Sequence, residues 1–65
     1  MRIDRVKLIS EMARQRIGTK DLADKSGVSR ATISSIRNGK SCLDVVGKAI
    51  ANALGVDVKD LIEEV

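Results

Sequence analysis

Between Thr19 and Asn38 the stretch TKDLADKSGVSRATISSIRN has to fold back on itself, and Gly27 is where it can. A backbone that reverses within a few residues often needs a positive φ, which glycine adopts without strain. Short segments with an apolar face lie on either side. Leu22 and Ala23 give the first segment an inward side, and Ile33 and Ile36 do the same for the second. Ser29 stands at the start of the second segment, where its hydroxyl suits an orphan N–H of the first helical turn. The spacing predicts two short helices joined by a tight turn. Arg30, Ala31, Thr32, Ser34 and Ser35 are left on the outside of the second helix. An exposed helix side that is small, polar and basic suits a groove of duplex DNA.

The rest of the chain reads as support for this unit. Asp4 can cap a first helix running to about Arg16, with Val6, Ile9, Met12 and Ala13 at helical spacing and Leu8 beside them. Ile17 closes this helix against the core and Gly18 ends it. Helix 2 is expected from Thr19 or Lys20 to near Ser26, with Asp21 in its first turn, where the dipole favours an acid. Thr19 and Lys20 sit at the same N-terminus, where backbone N–H groups can hold a phosphate. The other reading of Thr19 is an ordinary helix start with a capping hydroxyl. Helix 3 runs from Arg30 to about Arg37. In Asn38-Gly39-Lys40, Gly39 takes the left-handed cap and leaves Lys40 beside the phosphate strand.

Helix 4 is expected over roughly Leu43 to Leu54, with Val46, Ile50, Leu54 and Ala53 as its core face and Asp44 in its first turn. Gly47 lies mid-helix at a cost of about 1 kcal/mol relative to Ala, with close helix packing as its use. Gly55 ends helix 4. Asp57 caps a fifth helix from Val58 to about Glu64, with Leu61 and Ile62 inward. The expected fold is all-α: a compact bundle of five short helices in a single domain, residues 1–65, with the helix-turn-helix at helices 2 and 3.

Composition narrows the function. A chain of 65 residues buries only about 60% of its unfolded surface, so the core is marginal. A single cysteine, Cys42, allows no internal disulfide. It reads as a small, partly buried apolar residue, with a redox switch as the alternative. There is no His, which removes the commonest general base and a common metal ligand. No metal, cofactor or enzymatic activity is expected, because no catalytic constellation presents itself. The absence of Phe, Tyr and Trp removes the stacking platforms of single-strand binders and favours duplex.

No apolar run of about 18 residues occurs, so no membrane span is expected. The interrupted apolar stretch of MRIDRVKLIS is not a signal peptide. The chain is therefore read as cytoplasmic. Its net charge of +3 is unevenly placed. Residues 1–42 hold ten Lys/Arg and four Asp/Glu, net +6, whereas residues 43–65 hold two and five, net −3. One end should attract polyanions and the other should not; the plain alternative is an uneven solvated surface. Val56, Val58 and Val65 exceed what so small a core needs, which leaves either a dimer surface or simple core packing.

Leu22-Ala23, Gly27, Val28-Ser29, Ile33, Ile36 and Asn38-Gly39-Lys40 occur in one order and spacing, followed by Ile50-Ala51, Ala53-Leu54-Gly55-Val56 and Leu61. In this the chain resembles the lambda-repressor-like helix-turn-helix family of Cro/CI and Xre type regulators, roughly over residues 3 to 62. The resemblance implies that helix 3 is a recognition helix. By position it gives Ser29, Arg30, Ala31 and Ser35 contacts to base edges or adjacent phosphates. Thr32 and Ser34 border that surface, and Asn38 and Lys40 close it. Arg30 has two readings: a bidentate contact to guanine, worth about 1–3 kcal/mol of discrimination, or a phosphate contact or free side chain. Ala31 suits a thymine methyl.

Where the family often carries a Gln that grips the DNA backbone, this chain has the shorter Thr19. Where it often carries a Glu paired with an Arg of helix 1, this chain has Arg37. The options for Arg37 are a reversed pair with Glu11 or a turn toward the DNA backbone. The resemblance also implies a homodimer contact at the C-terminal region, here Val56, Val58, Ile62 and Val65, and a bacterial or phage origin. The leading expectation is a sequence-specific duplex-DNA-binding regulator, a repressor acting as a dimer on an inverted-repeat operator. Two rivals are an antitoxin-like autoregulator with a protein partner and a helical interaction module that does not touch DNA.

Overall fold

The computed structural model describes residues 1–63 and shows four α-helices followed by one 3-10 turn. The helices are α1 (Arg5–Gln15), α2 (Thr19–Ser26), α3 (Arg30–Arg37) and α4 (Asp44–Leu54), and the turn is Val58–Asp60. α2 packs against both α3 and α4, α1 touches α3 and α4, and the turn rests on α4. In a chain without aromatics the centre is filled by branched aliphatics: Ile3, Leu8, Leu22, Ile33, Ile36, Ile50 and Leu61 are almost wholly buried. Each such burial contributes about 1.5–3 kcal/mol against the entropy of ordering. Among the described residues no polar or charged residue is buried.

Asp4 caps α1 as expected, its carboxylate accepting from the N–H groups of Val6 (2.9 Å) and Lys7 (3.2 Å). The inward face of α1 differs from the expected one. Leu8 and Met12 are buried, one turn apart, whereas Val6 and Ile9 are 71% and 41% exposed and Ala13 is exposed too. The helix carries two apolar stripes, and its neighbours α3 and α4 cover only the Leu8–Met12 stripe.

The end of α1 also differs. Arg16, not Gly18, takes the left-handed conformation (φ 57°), while Gly18 is extended and serves as the N-cap residue of α2. This lets Ile17 fold back at once, its N–H reaching the Met12 carbonyl at 2.9 Å. Glu11 and the last turn of α1 are tied down by side chains. Gln15 Nε2 donates to Glu11 Oε1 (2.9 Å) and to the Leu54 carbonyl of α4 (2.7 Å), and Glu11 also pairs with Arg14. The Arg14 and Gln15 hydrogen bonds hold the Glu11 carboxyl down at about 2.

The expected fifth α-helix is a single 3-10 turn. Asp57 does cap it, accepting from Lys59 N–H at 2.9 Å. The chain then leaves the helical path because its backbone pairs with the N-terminal segment. Asp4 N–H donates to Leu61 O (2.8 Å), Glu63 N–H donates to Arg2 O (2.9 Å), and Ile3 and Ile62 form an antiparallel bridge. These bonds satisfy backbone groups that a helix would have directed along its own axis.

Val56 and Val58 are half-buried and pack on the core, and Ile62 is half-buried at the bridge. The expected apolar excess at this end is therefore largely used inside the fold. The large apolar residues that stand exposed are elsewhere: Val6, Ile9, Leu43 and Val45. Val65, expected with the others at a dimer contact, lies outside the described residues, as does the expected helix end near Glu64. Gly47 does admit a close approach, but by Met1 rather than by a helix. A Cβ there would lie 2.1 Å from the Met1 sulfur.

Candidate nucleic-acid interface

The second turn of the α2–α3 unit is built as its residues dictate. Gly27 takes φ 74° as the C-cap of α2. Ser29 is the N-cap of α3, accepting from Thr32 N–H at 3.2 Å while its own hydroxyl donates to Thr32 Oγ1 at 2.8 Å. α3 therefore starts at Arg30 and turns Ile33 and Ile36 into the core. Arg30, Ala31, Ser34 and Asn38 are exposed on the opposite side, and Thr32 and Ser35 are half-buried at its edge. At the far end Gly39 (φ 96°) reverses the chain, with Lys40 N–H returning to Ser35 O at 3.1 Å. Lys40 is exposed just beyond it.

The α2 N-terminus is different in kind. Its N-cap residue, Gly18, has no side chain to bond the first-turn N–H groups. Thr19 does not cap it either. Its hydroxyl oxygen accepts from Arg37 Nη1, at 2.7 Å, across the gap to the end of α3. Of the two options for Arg37, the reversed pair with Glu11 is not formed; Glu11 is bonded to Arg14 and Gln15 instead. Lys20 is exposed beside Thr19.

The face so assembled is cationic by omission as well as by content. Between Ser26 and Leu43 the sequence holds three cations (Arg30, Arg37 and Lys40) and no carboxylate. The side chains of Lys20, Arg30 and Lys40 make no hydrogen bond or ion pair with the described residues, so their charges are not neutralised from within. An α-helix with its side chains is about 10–12 Å across, close to the roughly 12 Å width of the major groove.

Two cations of this region are not among the site residues expected from the sequence. Arg37, a departure from the resembled family, has two options on sequence grounds, a pair with Glu11 and a turn toward the DNA backbone. Arg5 gave no signal, since nothing local in the sequence places it. The fold lays it along the end of α3, where its Cδ would lie 3.5 Å from a Cβ on Gly39. Cys42 is half-buried near this end, and burial pushes its thiol pKa up, which opposes thiolate formation. Among the described residues no cluster of His, Cys, Asp or Glu forms a metal site, and no helix is long and apolar enough to cross a membrane.

The profile of the Cro/C1-type helix-turn-helix DNA-binding domain matches residues 7–65. The chain belongs to this family. The match spans the α2–α3 unit, and the Cro/C1-type assignment makes this stretch of chain a DNA-binding domain. No curated protein matches the sequence. Two solved structures share the Cro/C1-type fold seen here. One is a mutant of hydroxyethylphosphonate dioxygenase, with a TM-score of 0.87 and 25% identity over 98% of this chain and 14% of that one. The other is Streptomyces albus HEPD with 2-hydroxyethylphosphonate and Fe(II) bound, with a TM-score of 0.79 and 28% identity over 86% of this chain and 13% of that one. This chain thus spans about one-seventh of the length of those enzymes.

Proposed function

We propose that this Cro/C1-type protein is a transcriptional repressor that binds an inverted-repeat operator as a dimer and acts by occluding the promoter. The observation that carries the reading is the outer side of α3: Arg30, Ala31, Ser34 and Asn38 exposed, with no carboxylate between Ser26 and Leu43 to repel phosphate. Arg30 reads a base edge, and Ala31 and Ser35 line the groove beside it. Ser29, Thr32 and Ser34 border the strand. Thr19, Lys20, Asn38 and Lys40 hold phosphates. Successive major grooves on one side of a duplex are about 34 Å apart. The protomer is 29 Å in its longest dimension, so two copies in contact can reach both half-sites. The two-fold contact proposed is the C-terminal end: the parts of Val56, Val58 and Ile62 that their half-burial leaves exposed, together with Val65. The protein works in the cytoplasm of a bacterium or on behalf of a phage, as a binding protein rather than an enzyme.

Selection of bound duplexes from a random pool at near-physiological salt tests this reading. An enriched inverted repeat with half-sites about one helical turn apart is the expected result. Arg30→Ala should then relax specificity at one or two positions of each half-site, at about 1–3 kcal/mol, whereas Lys40→Ala should weaken all duplexes alike. Equal effects of both variants on every sequence would remove Arg30 as a base reader.

A second reading has one observation behind it. The two dioxygenases named above contain this fold as a small part of a long chain. A helical module serving a protein partner, as in an antitoxin-like autoregulator or without DNA at all, is the corresponding proposal here. Salt separates the two. Binding through about six to ten phosphates loses roughly 10³–10⁵ in affinity between 50 and 200 mM salt.

A further inference from the structure

We infer that Arg37 is a positioning residue for DNA binding: its guanidinium sets the direction of the Thr19 hydroxyl, and Thr19 rather than Arg37 meets the phosphate. The inference rests on the DNA-binding reading and adds to it a residue that the reading leaves without a role. Arg37 is the last residue of α3 and Thr19 the first of α2, so their bond closes the helix-turn-helix at the end away from Gly27. A threonine hydroxyl has one hydrogen and two lone pairs. When one lone pair accepts from Arg37 Nη1 at 2.7 Å, the rotor is held and the hydrogen is directed elsewhere. Bonding to a cation also polarises the hydroxyl, making it a better donor to an anionic oxygen. Thr19 and Arg37 are both half-buried, so neither side chain is free to sweep solvent. Among the described residues no carboxylate pairs with Arg37; the one hydrogen-bond partner of its side chain is Thr19.

A direct phosphate contact by Arg37 makes a different forecast, and a mutant cycle separates the two. Affinity for the selected duplex is measured for the wild type, Thr19→Val, Arg37→Met and the double variant, each at several salt concentrations, with thermal melts alongside. Arg37→Met keeps the aliphatic stem and removes the donor. Each single variant should lose about 3- to 10-fold in affinity, the worth of one hydrogen bond. The double variant should lose no more than either single one. The slope of log affinity against log salt should stay at the wild-type value in Arg37→Met and fall by about 0.9 in Lys40→Ala, which removes a true phosphate contact.

Additive losses would overturn the proposal, and so would a salt slope lowered by about one in Arg37→Met. A loss of affinity that tracks a lowered melting temperature, without coupling to Thr19, would reduce Arg37 to a structural residue and also overturn it. If Arg37→Met does not fold at the assay temperature, Arg37→Gln carries the same cycle, since it is polar but too short to reach Thr19. A wild-type protein that binds no duplex at low salt would remove the DNA reading itself, an outcome visible before any variant is made.

Discussion

Two turns link the first three helices, and they solve the same problem differently. Both reverse the chain with one left-handed residue, Arg16 at φ 57° in the first and Gly27 at φ 74° in the second. In the second turn every residue does what its chemistry suggests. Glycine takes the positive φ, Ser26 Oγ bonds back to Leu22 O (2.7 Å), and Ser29 caps the next helix. In the first turn the roles are displaced. An arginine takes the positive φ, the glycine two places later is extended, and α2 begins without a side-chain cap. What holds the first turn is at a distance: Glu11, Gln15 and the Leu54 carbonyl behind it, and Arg37 in front. A self-contained turn presents α3 in a fixed attitude. A turn held from outside leaves the start of α2 open, with its N–H groups and the Thr19 hydroxyl available to something else.

The largest expected effect lies in the self-contained turn. Nothing stands within 4 Å of where a Cβ would sit on Gly27, so the cost of a side chain there is conformational and not steric. Left-handed backbone costs an ordinary residue about 1–2 kcal/mol and a β-branched one more. Gly27→Val should therefore destabilise by about 2 kcal/mol, lowering the melting temperature by roughly 10 °C in a domain of this size. A melt within about 2 °C of wild type would show that the positive φ is not needed and would erase the contrast between the turns. Ser29→Ala comes next. It removes the acceptor of Thr32 N–H and should cost about 1 kcal/mol in urea unfolding.

The first turn should respond with the opposite sign. Arg16 bears left-handed strain that glycine would not, while glycine costs about 0.5–1 kcal/mol in unfolded-state entropy. Arg16→Gly should come out ahead, by about 0.5–1 kcal/mol of added stability measured by urea unfolding. Destabilisation instead would mean that the Arg16 side chain holds the turn, and the two turns would then differ in more than the placement of a glycine.

The contrast also explains what could be read from the chain beforehand. The bounds of α2 and α3, the Gly27 turn and the Ser29 cap follow from residues within one turn of each other, and local propensity states them directly. The Gly18 expectation failed because glycine marks a break without saying which residue carries the positive φ. Val6 and Ile9 satisfy helical periodicity as well as Leu8 and Met12 do, and only the positions of α3 and α4 decide between the stripes. The fifth helix failed for a related reason, since its backbone bonds go to residues nearly sixty positions away. At the candidate interface, the exposed row from Arg30 to Lys40 was legible as one helix side and its cap. The bond from Arg37 to Thr19 spans two helices and no local pattern announces it.

The smallest stability effect is the one that bears most on function. Gly18 is extended, with φ −87° and ψ 175°, and no atom lies within 4 Å of its would-be Cβ, so an aspartate can occupy its place without strain. Aspartate would give α2 the side-chain cap it lacks. An N-cap acceptor in place of glycine is worth a few tenths of a kcal/mol, and a negative charge at a helix N-terminus adds about as much. Gly18→Asp should therefore stabilise the fold by about 0.5 kcal/mol. It should also weaken duplex binding by about tenfold, because its carboxylate occupies the N–H groups and repels the phosphate that Thr19 is proposed to meet. Gly18→Ser separates the two causes: it caps without charge and should keep most of the affinity. Stability and affinity rising together in Gly18→Asp would mean that no phosphate approaches the start of α2. The open first turn would then be a weakness of the fold with no use at the DNA, and Arg37 would have nothing to position.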